Sequence, residues 1–271
     1  LVSGFVIYMT LERTKSARHF IVSRATRLFP VYWIAVLITF AAVALIGLPG
    51  KERTVWELLA NLTMLHEYAG IRHIDGVYWT LSIELAFYIW MFAFFRAGLL
   101  QRPLRMFLIW LTTNILIFGT ASALGITLPN VFGIALFTAY GNLFFAGIGF
   151  YIWRQTRSPA GLFLVVVTFA LEAAVRTDVI LLSLLIWTIF GLAATGQLRV
   201  LAIRPLIYLG AISYPLYLIH EHVGYIIIRQ LYASDLNHPA IILGVPIVTA
   251  LLLAAAIHHL IEEPAMHALR A

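Results

Sequence analysis

The sequence has no cysteine and few charged residues, and each absence excludes a class of protein. Without cysteine there can be no disulfide, no thiolate nucleophile and no cysteine-ligated metal. Charged residues make up 11% of the 271 residues, against about 25% in soluble domains. The net charge of +6 belongs to no basic soluble segment, so nucleic acid is not an expected partner.

Several catalytic motifs are missing as well. The chain has no glycine-rich phosphate loop, no His-Glu-x-x-His and no Gly-x-Ser-x-Gly. What it does have is apolar sequence, 62% of all residues, against about 45–50% in soluble domains. We therefore predict an all-α, polytopic membrane protein, because helices satisfy their own backbone hydrogen bonds in lipid.

Apolar runs predict a transmembrane bundle of eight full spans, preceded by a partial helix at residues 1–11. The full spans are expected at 28–48, 77–95, 106–124, 132–153, 161–175, 179–195, 206–228 and 240–261. A short interfacial helix is expected at 55–65. Thirteen of the 18 Lys and Arg residues fall in alternate loops on one side and five on the other, which predicts a cytoplasmic C-terminus.

The stretch around Glu84 is the first candidate site. Glu84 lies inside the 77–95 span, with Thr80 one turn before it and Tyr88 one turn after it on the same stripe. A carboxylate inside a membrane helix costs about 2.5–3.5 kcal/mol, so it should face a wet cavity or a partner. It is either part of a polar site near the outer face or a structural link to a buried Arg or hydroxyl.

Arg24 and Arg27 are the second candidate site. They are three residues apart and share one face if the stretch is helical. Two guanidinium groups at this spacing suit phosphate oxygens, which they bind bidentately. The alternative is positive-inside charge in contact with lipid headgroups.

His220 is the third candidate. Ser213, Tyr217 and His220 follow one another at offsets of four and three, on nearly one stripe, whereas His222 points elsewhere. A histidine here can shuttle a proton or can be a packing residue that is hydrogen-bonded. His258 and Glu262 have the spacing of metal ligands, but no third ligand is evident, so we expect no metal.

Five segments, in order along the chain, resemble signatures of the acyltransferase-3 family of integral membrane acyltransferases. Residues 1–7 resemble its Ser-Gly-Phe segment, and 24–32 its Arg-x-x-Arg-hydrophobic-x-Pro-x-Tyr segment. Residues 78–88 resemble its Trp-Ser-Leu-Ser-x-Glu-x-x-Phe-Tyr signature, with threonine at position 80, and 213–220 and 261–264 resemble two late motifs. The family has about ten spans, so the resemblance implies one domain over 1–271 that lacks the first helix and its essential histidine.

The resemblance implies transfer of an acyl group, often acetyl, from cytoplasmic acyl-CoA to a hydroxyl of an extracytoplasmic glycan or similar acceptor. Such a protein would lie in the bilayer of the bacterial inner membrane and would need no metal. Arg24 and Arg27 would hold the CoA, and Glu84 would orient or tune the missing histidine or bind the acceptor hydroxyl.

The same resemblance places the acceptor at the start of the 77–95 span. Tyr78, Trp79 and Ser82 would line the outer entrance, and His220 is a weaker catalytic candidate. Two other classes stay open: a transporter or flippase of a lipid-linked sugar, and a structural membrane subunit. A transporter predicts acids near the midplane and repeated halves, and this sequence has neither a second well-placed acid nor a repeat.

Overall fold

The computed structural model describes residues 1–14, 16–236 and 238–268. Helix makes up 80% of the structure, and the described residues form no strand, so the predicted all-α class is confirmed. The helices are α1 Val2–Arg13, α2 Ala17–Ile46, α3 Val55–Asn61, α4 Trp79–Arg96, α5 Pro103–Ala123, α6 Asn130–Ala135, α7 Gly141–Thr156, α8 Pro159–Val175, α9 Ile180–Ala194, α10 Arg204–Ala211, α11 Ser213–Ala233 and α12 Pro239–Ala268.

Five helical segments of the described chain are long and apolar enough to cross a membrane. They are Ala17–Ile46, Gly76–Arg96, Pro103–Ala123, Thr177–Ala194 and Pro239–Ala268. A multi-pass membrane protein is therefore supported, whereas the predicted count of eight full spans is not confirmed. The segment predicted as a helix at 55–65 contains the shorter helix α3; its interfacial position stays a prediction.

The predicted continuous span at 132–153 is wrong, because α6 and α7 are separate helices. At the end of α6, backbone carbonyls have no hydrogen-bond donor from the helix itself. Two tryptophan side chains provide the donors instead. The indole N–H of Trp90 donates to the carbonyl of Ala135 at 3.1 Å, and that of Trp110 donates to Leu136 at 2.8 Å. In a membrane protein such side-chain donors are what allow a helix to be interrupted.

The predicted span at 206–228 is also interrupted, since α10 ends at Ala211 and α11 begins at Ser213. The cause is Pro215. A proline has no N–H for the carbonyl four residues earlier, and its ring clashes with that carbonyl. The carbonyl concerned is that of Ala211, the last residue of α10.

The chain forms two compact units, and the first comprises residues Leu1–Phe20 and Ile83–Ala202. Here α1 packs closely against α7 through a glycine on each helix. A Cβ on Gly4 would lie 2.0 Å from the backbone oxygen of Phe144, and one on Gly147 would lie 2.1 Å from that of Leu1. Small residues that permit such close approach are typical of helix contacts in membranes.

The second unit comprises Ile21–Ser82 and Ile203–Ala271. The connection between α2 and α4 is organised around Asn61, which is fully buried. Its amide nitrogen donates to the carbonyls of Glu57 at 2.8 Å and Arg72 at 3.0 Å, and its amide oxygen accepts from the N–H of Ile74 at 3.0 Å. These bonds hold the residues that directly precede α4.

The start of α3 is held by a capping box between Thr54 and Glu57. The Glu57 carboxylate accepts from the Thr54 N–H at 2.8 Å and from the Arg72 guanidinium at 2.8 Å. The Thr54 N–H, followed by Arg72, lowers the pKa of Glu57 to about 2. The connection is therefore an ordered segment with its own charged network.

Candidate functional site

Glu84 lies early in α4 and is half-buried. Its Oε1 accepts a hydrogen bond from the hydroxyl of Tyr88 at 2.6 Å and another from Ser3 of α1 at 2.9 Å. The Tyr88 contact confirms that these residues share a stripe at a spacing of four. The Ser3 contact supplies the hydroxyl partner that a structural link between helices requires. A chemical role for Glu84 stays a prediction.

Arg24 and Arg27 lie three residues apart near the beginning of α2. Arg27 is exposed and Arg24 is half-buried. Close by, the hydroxyl of Tyr214 in α11 donates to the carbonyl of Leu28 at 3.1 Å, so the start of α11 packs beside this turn. The Arg27 guanidinium is accessible to a phosphate ligand, and the predicted CoA contact stays a prediction.

Tyr78, Trp79 and Ser82 surround the start of α4. Tyr78 and Ser82 are fully buried, whereas Trp79 is 37% exposed. The ring of Tyr78 packs edge-on against Tyr32 at 5.2 Å, and the hydroxyl of Tyr68 donates to the Ser82 carbonyl at 2.6 Å. Of the three predicted acceptor residues, Trp79 is the one that presents a face at the surface.

The stripe predicted on α11 contacts the start of α4. The hydroxyl of Tyr217 donates to the carbonyl of Val77 at 3.0 Å and also contacts the hydroxyl of Thr80. His220 is exposed, and its Nδ1 lies 2.9 Å from the Tyr217 carbonyl. His220 and Glu221 line a cleft of about 480 Å³ between α11 and α12. His220 therefore remains accessible to a substrate.

Three residues that were not selected from the sequence lie near this contact between α11 and the start of α4. Asp75 and His222 are buried, and Glu221 is partly exposed. The Asp75 carboxylate accepts from the backbone N–H of His222 at 3.2 Å and of Val77 at 3.3 Å. Burial, opposed in part by these two amides, raises the pKa of Asp75 to about 6. A carboxyl group with a raised pKa in a cluster of titratable residues is typical of functional sites.

A weak signal for His222 was present in the sequence. Leu218, Ile219, His222 and Ile226 are buried and follow one another at helical spacing. His222 is the polar member of that otherwise apolar stripe. The stripe through Tyr217 and His220 contains more polar groups and therefore attracts attention first.

Metal-ligand side chains form two groups within the described residues. In each group the ligand atoms lie within 4.8 Å of one another. The groups are Asp75, Glu221 and His222, and His258, His259 and Glu263. In the second group, hydrogen bonds already connect His259 to Glu263 at 2.9 Å and to Tyr208 at 3.1 Å.

Comparison with known proteins identifies the class. The family model described as an acyltransferase domain, that of the acyltransferase-3 family, matches residues 1–259. The chain belongs to this family and is a membrane acyltransferase. Among characterised proteins it is similar to the exopolysaccharide production protein ExoZ of Rhizobium meliloti (strain 1021), with 26% identity over 299 residues. That match covers 100% of this chain and 88% of ExoZ. No solved structure matches significantly.

Proposed function

We propose that the protein is an O-acyltransferase that moves an acetyl group from cytoplasmic acetyl-CoA to a hydroxyl of an extracytoplasmic glycan. Family membership supports the reaction class. The name of its relative, an exopolysaccharide production protein, supports a glycan as the acceptor class. The observation that carries the proposal is the Glu84 carboxylate, which is held in an apolar helix by two hydroxyl groups.

The chemistry requires a group that takes a proton from the acceptor. The acceptor oxygen attacks the thioester carbonyl, the carbon–sulfur bond breaks, and CoA leaves as the thiol while the acceptor proton passes to a base. A carboxylate that already accepts hydrogen bonds from Ser3 and Tyr88 can accept one from a sugar hydroxyl in the same way. Glu84 is therefore our first candidate for binding the acceptor hydroxyl and taking up its proton, and His220 is the second.

The donor half of the proposal rests on Arg24 and Arg27. Both lie near the beginning of α2, and the exposed Arg27 can bind a CoA phosphate bidentately. We expect Arg27→Ala to raise the KM for acetyl-CoA about tenfold or more, and Arg27→Lys to restore part of it, since lysine keeps the charge but not the fork. An unchanged KM in Arg27→Ala would contradict this role.

The decisive experiment separates a chemical role of Glu84 from a structural one. Membranes that contain the full-length protein are incubated with radiolabelled acetyl-CoA, and label on glycan is counted. Glu84→Gln keeps a carbonyl oxygen that can accept from Ser3 and Tyr88, but it cannot take up a proton. We expect transfer to fall about 100-fold or more, the range of general-base effects.

Ser3→Ala is the matched control, because it removes one hydrogen bond and leaves the carboxylate in place. We expect Ser3→Ala to retain transfer within about tenfold of the original protein. Equal losses in the two variants would show that Glu84 only links helices. Saturable movement of acceptor without any acyl-CoA would instead favour the transporter class.

A further inference from the structure

We propose that Asp75, Glu221 and His222 bind a divalent transition-metal cation, of the zinc or manganese class, that joins the segment preceding α4 to α11. None of the three is among the residues assigned above to the acyl donor or acceptor, although Glu221 lines the same cleft as His220. All three residues belong to the second compact unit. From the sequence we expect no metal, since His258 and Glu262 have the spacing of metal ligands but no evident third ligand.

The geometry of the three side chains suits a shared ion. One ligand atom from each lies within 4.8 Å of the other two, and Nε2 of His222 is 3.8 Å from Oε1 of Glu221. Two atoms bound to the same zinc ion at about 2.0–2.2 Å lie about 3–4 Å from each other. Small side-chain rotations therefore bring the three groups to bonding distance.

His222 is the independent sign that a ligand belongs here. It is 1% exposed, and neither of its ring nitrogens has a hydrogen-bond partner among the described residues. The Glu221 oxygen at 3.8 Å is too distant for one. A buried polar group without a hydrogen-bond partner costs free energy. A metal ion on one ring nitrogen removes that cost.

The second ring nitrogen of His222 also has a suitable environment. The ring lies beside the backbone of Ile74, although without the geometry of a hydrogen bond. A metal-bound histidine commonly donates its other N–H to a backbone carbonyl, which orients the ring. A slight reorientation of His222 towards the metal can give it this contact.

The carboxylates of Asp75 and Glu221 also favour a bound cation, because two negative charges lie close together. Asp75 is fully buried, and its hydrogen-bond donors are two uncharged backbone amides. Glu221 brings a second carboxylate within 4.8 Å of it. A Cβ on Gly76 would lie 2.2 Å from Oε1 of Glu221, so glycine at this position admits the second carboxylate. Two converging carboxylates are stabilised by a shared divalent ion.

The donor set selects the class of metal. Imidazole nitrogen suits zinc and other transition metals, and carboxylate oxygen suits manganese and zinc as well as harder ions. A site with two carboxylates and one imidazole leaves coordination positions for water. Since Asp75 also accepts from Val77, a bound ion would stabilise the short turn Gly76–Tyr78 that directly precedes α4.

The test measures metal bound to the full-length protein, purified in detergent without a polyhistidine tag. The protein is stripped with EDTA, incubated with zinc or manganese chloride and desalted, and its metal content is measured by mass spectrometry. We expect about one equivalent of one of these ions in the original protein. In Glu221→Gln, and in Asp75→Asn, the affinity measured by calorimetry should fall more than about tenfold.

His259→Gln is the matched control, because it removes a histidine from the other group of metal-ligand side chains. It should bind metal as the original protein does. Glu221→Gln is close in shape and partly exposed, so it should fold even if Asp75→Asn does not. The proposal is overturned if the original protein retains neither metal, if Glu221→Gln binds metal equally well, or if only His259→Gln loses it.

Discussion

Replacing Gly4 by alanine tests the close approach of α1 and α7. The new Cβ would lie 2.0 Å from the backbone oxygen of Phe144, where ordinary contact begins at 3.4 Å. The neighbouring atom is backbone and cannot rotate away, so the two helices must separate locally by roughly 1.4 Å. Overpacking of this kind costs about 1–3 kcal/mol, and a backbone clash belongs at the upper end.

Alanine also has a higher helix propensity than glycine, which offsets up to about 1 kcal/mol. The net expectation for Gly4→Ala is therefore a loss of about 2 kcal/mol in the free energy of unfolding. The displacement of α1 should also stretch the hydrogen bond from Ser3 to Glu84, which is 2.9 Å long. We expect acyl transfer to fall along with stability.

The assay is reversible unfolding in mixed detergent micelles, followed by circular dichroism. Gly244→Ala is the matched control, because Gly244 is a helical glycine of α12. Apart from its own chain neighbours and the nearby backbone of α12, no atom of the described residues lies within 4 Å of the position that its new methyl group would occupy. It should unfold with unchanged or slightly higher free energy. If Gly4→Ala is as stable as Gly244→Ala, the close contact between α1 and α7 does not exist.

Two further predictions concern the connection between α2 and α4. Asn61→Ala leaves the buried N–H of Ile74 without its acceptor and should lower the free energy of unfolding by about 2–4 kcal/mol; equal unfolding curves would contradict this. Burial, followed by the neighbouring His73, lowers the pKa of His66 to about 4. In the unfolded chain the pKa of His66 is about 6.5, so between about pH 4 and 6.5 the unfolded residue binds more protons than the folded one. The free energy of unfolding should therefore decrease by about 3 kcal/mol as the pH falls through that window. Unfolding measured against pH should lose this slope in His66→Gln, and an identical slope in that variant would refute the assignment.

The sequence alone determined the class of protein and part of the Glu84 site. Apolar runs show where helices lie, because backbone groups in lipid must pair within the helix. Spacing shows which residues share a face, so the contact between Glu84 and Tyr88 could be predicted from an offset of four. The order of the motifs along the chain indicated the family resemblance that the family model confirms.

Only the tertiary structure decided which faces turn inward and which distant residues meet. On α11 the spacing separates His220 from His222, but it does not say which stripe packs against the protein, and His222 is the buried one. The break between α6 and α7 depends on Trp110, 26 residues from the carbonyl it satisfies. Asp75 meets His222 across 147 residues. Helical periodicity is a local property, whereas these contacts depend on how separate helices pack.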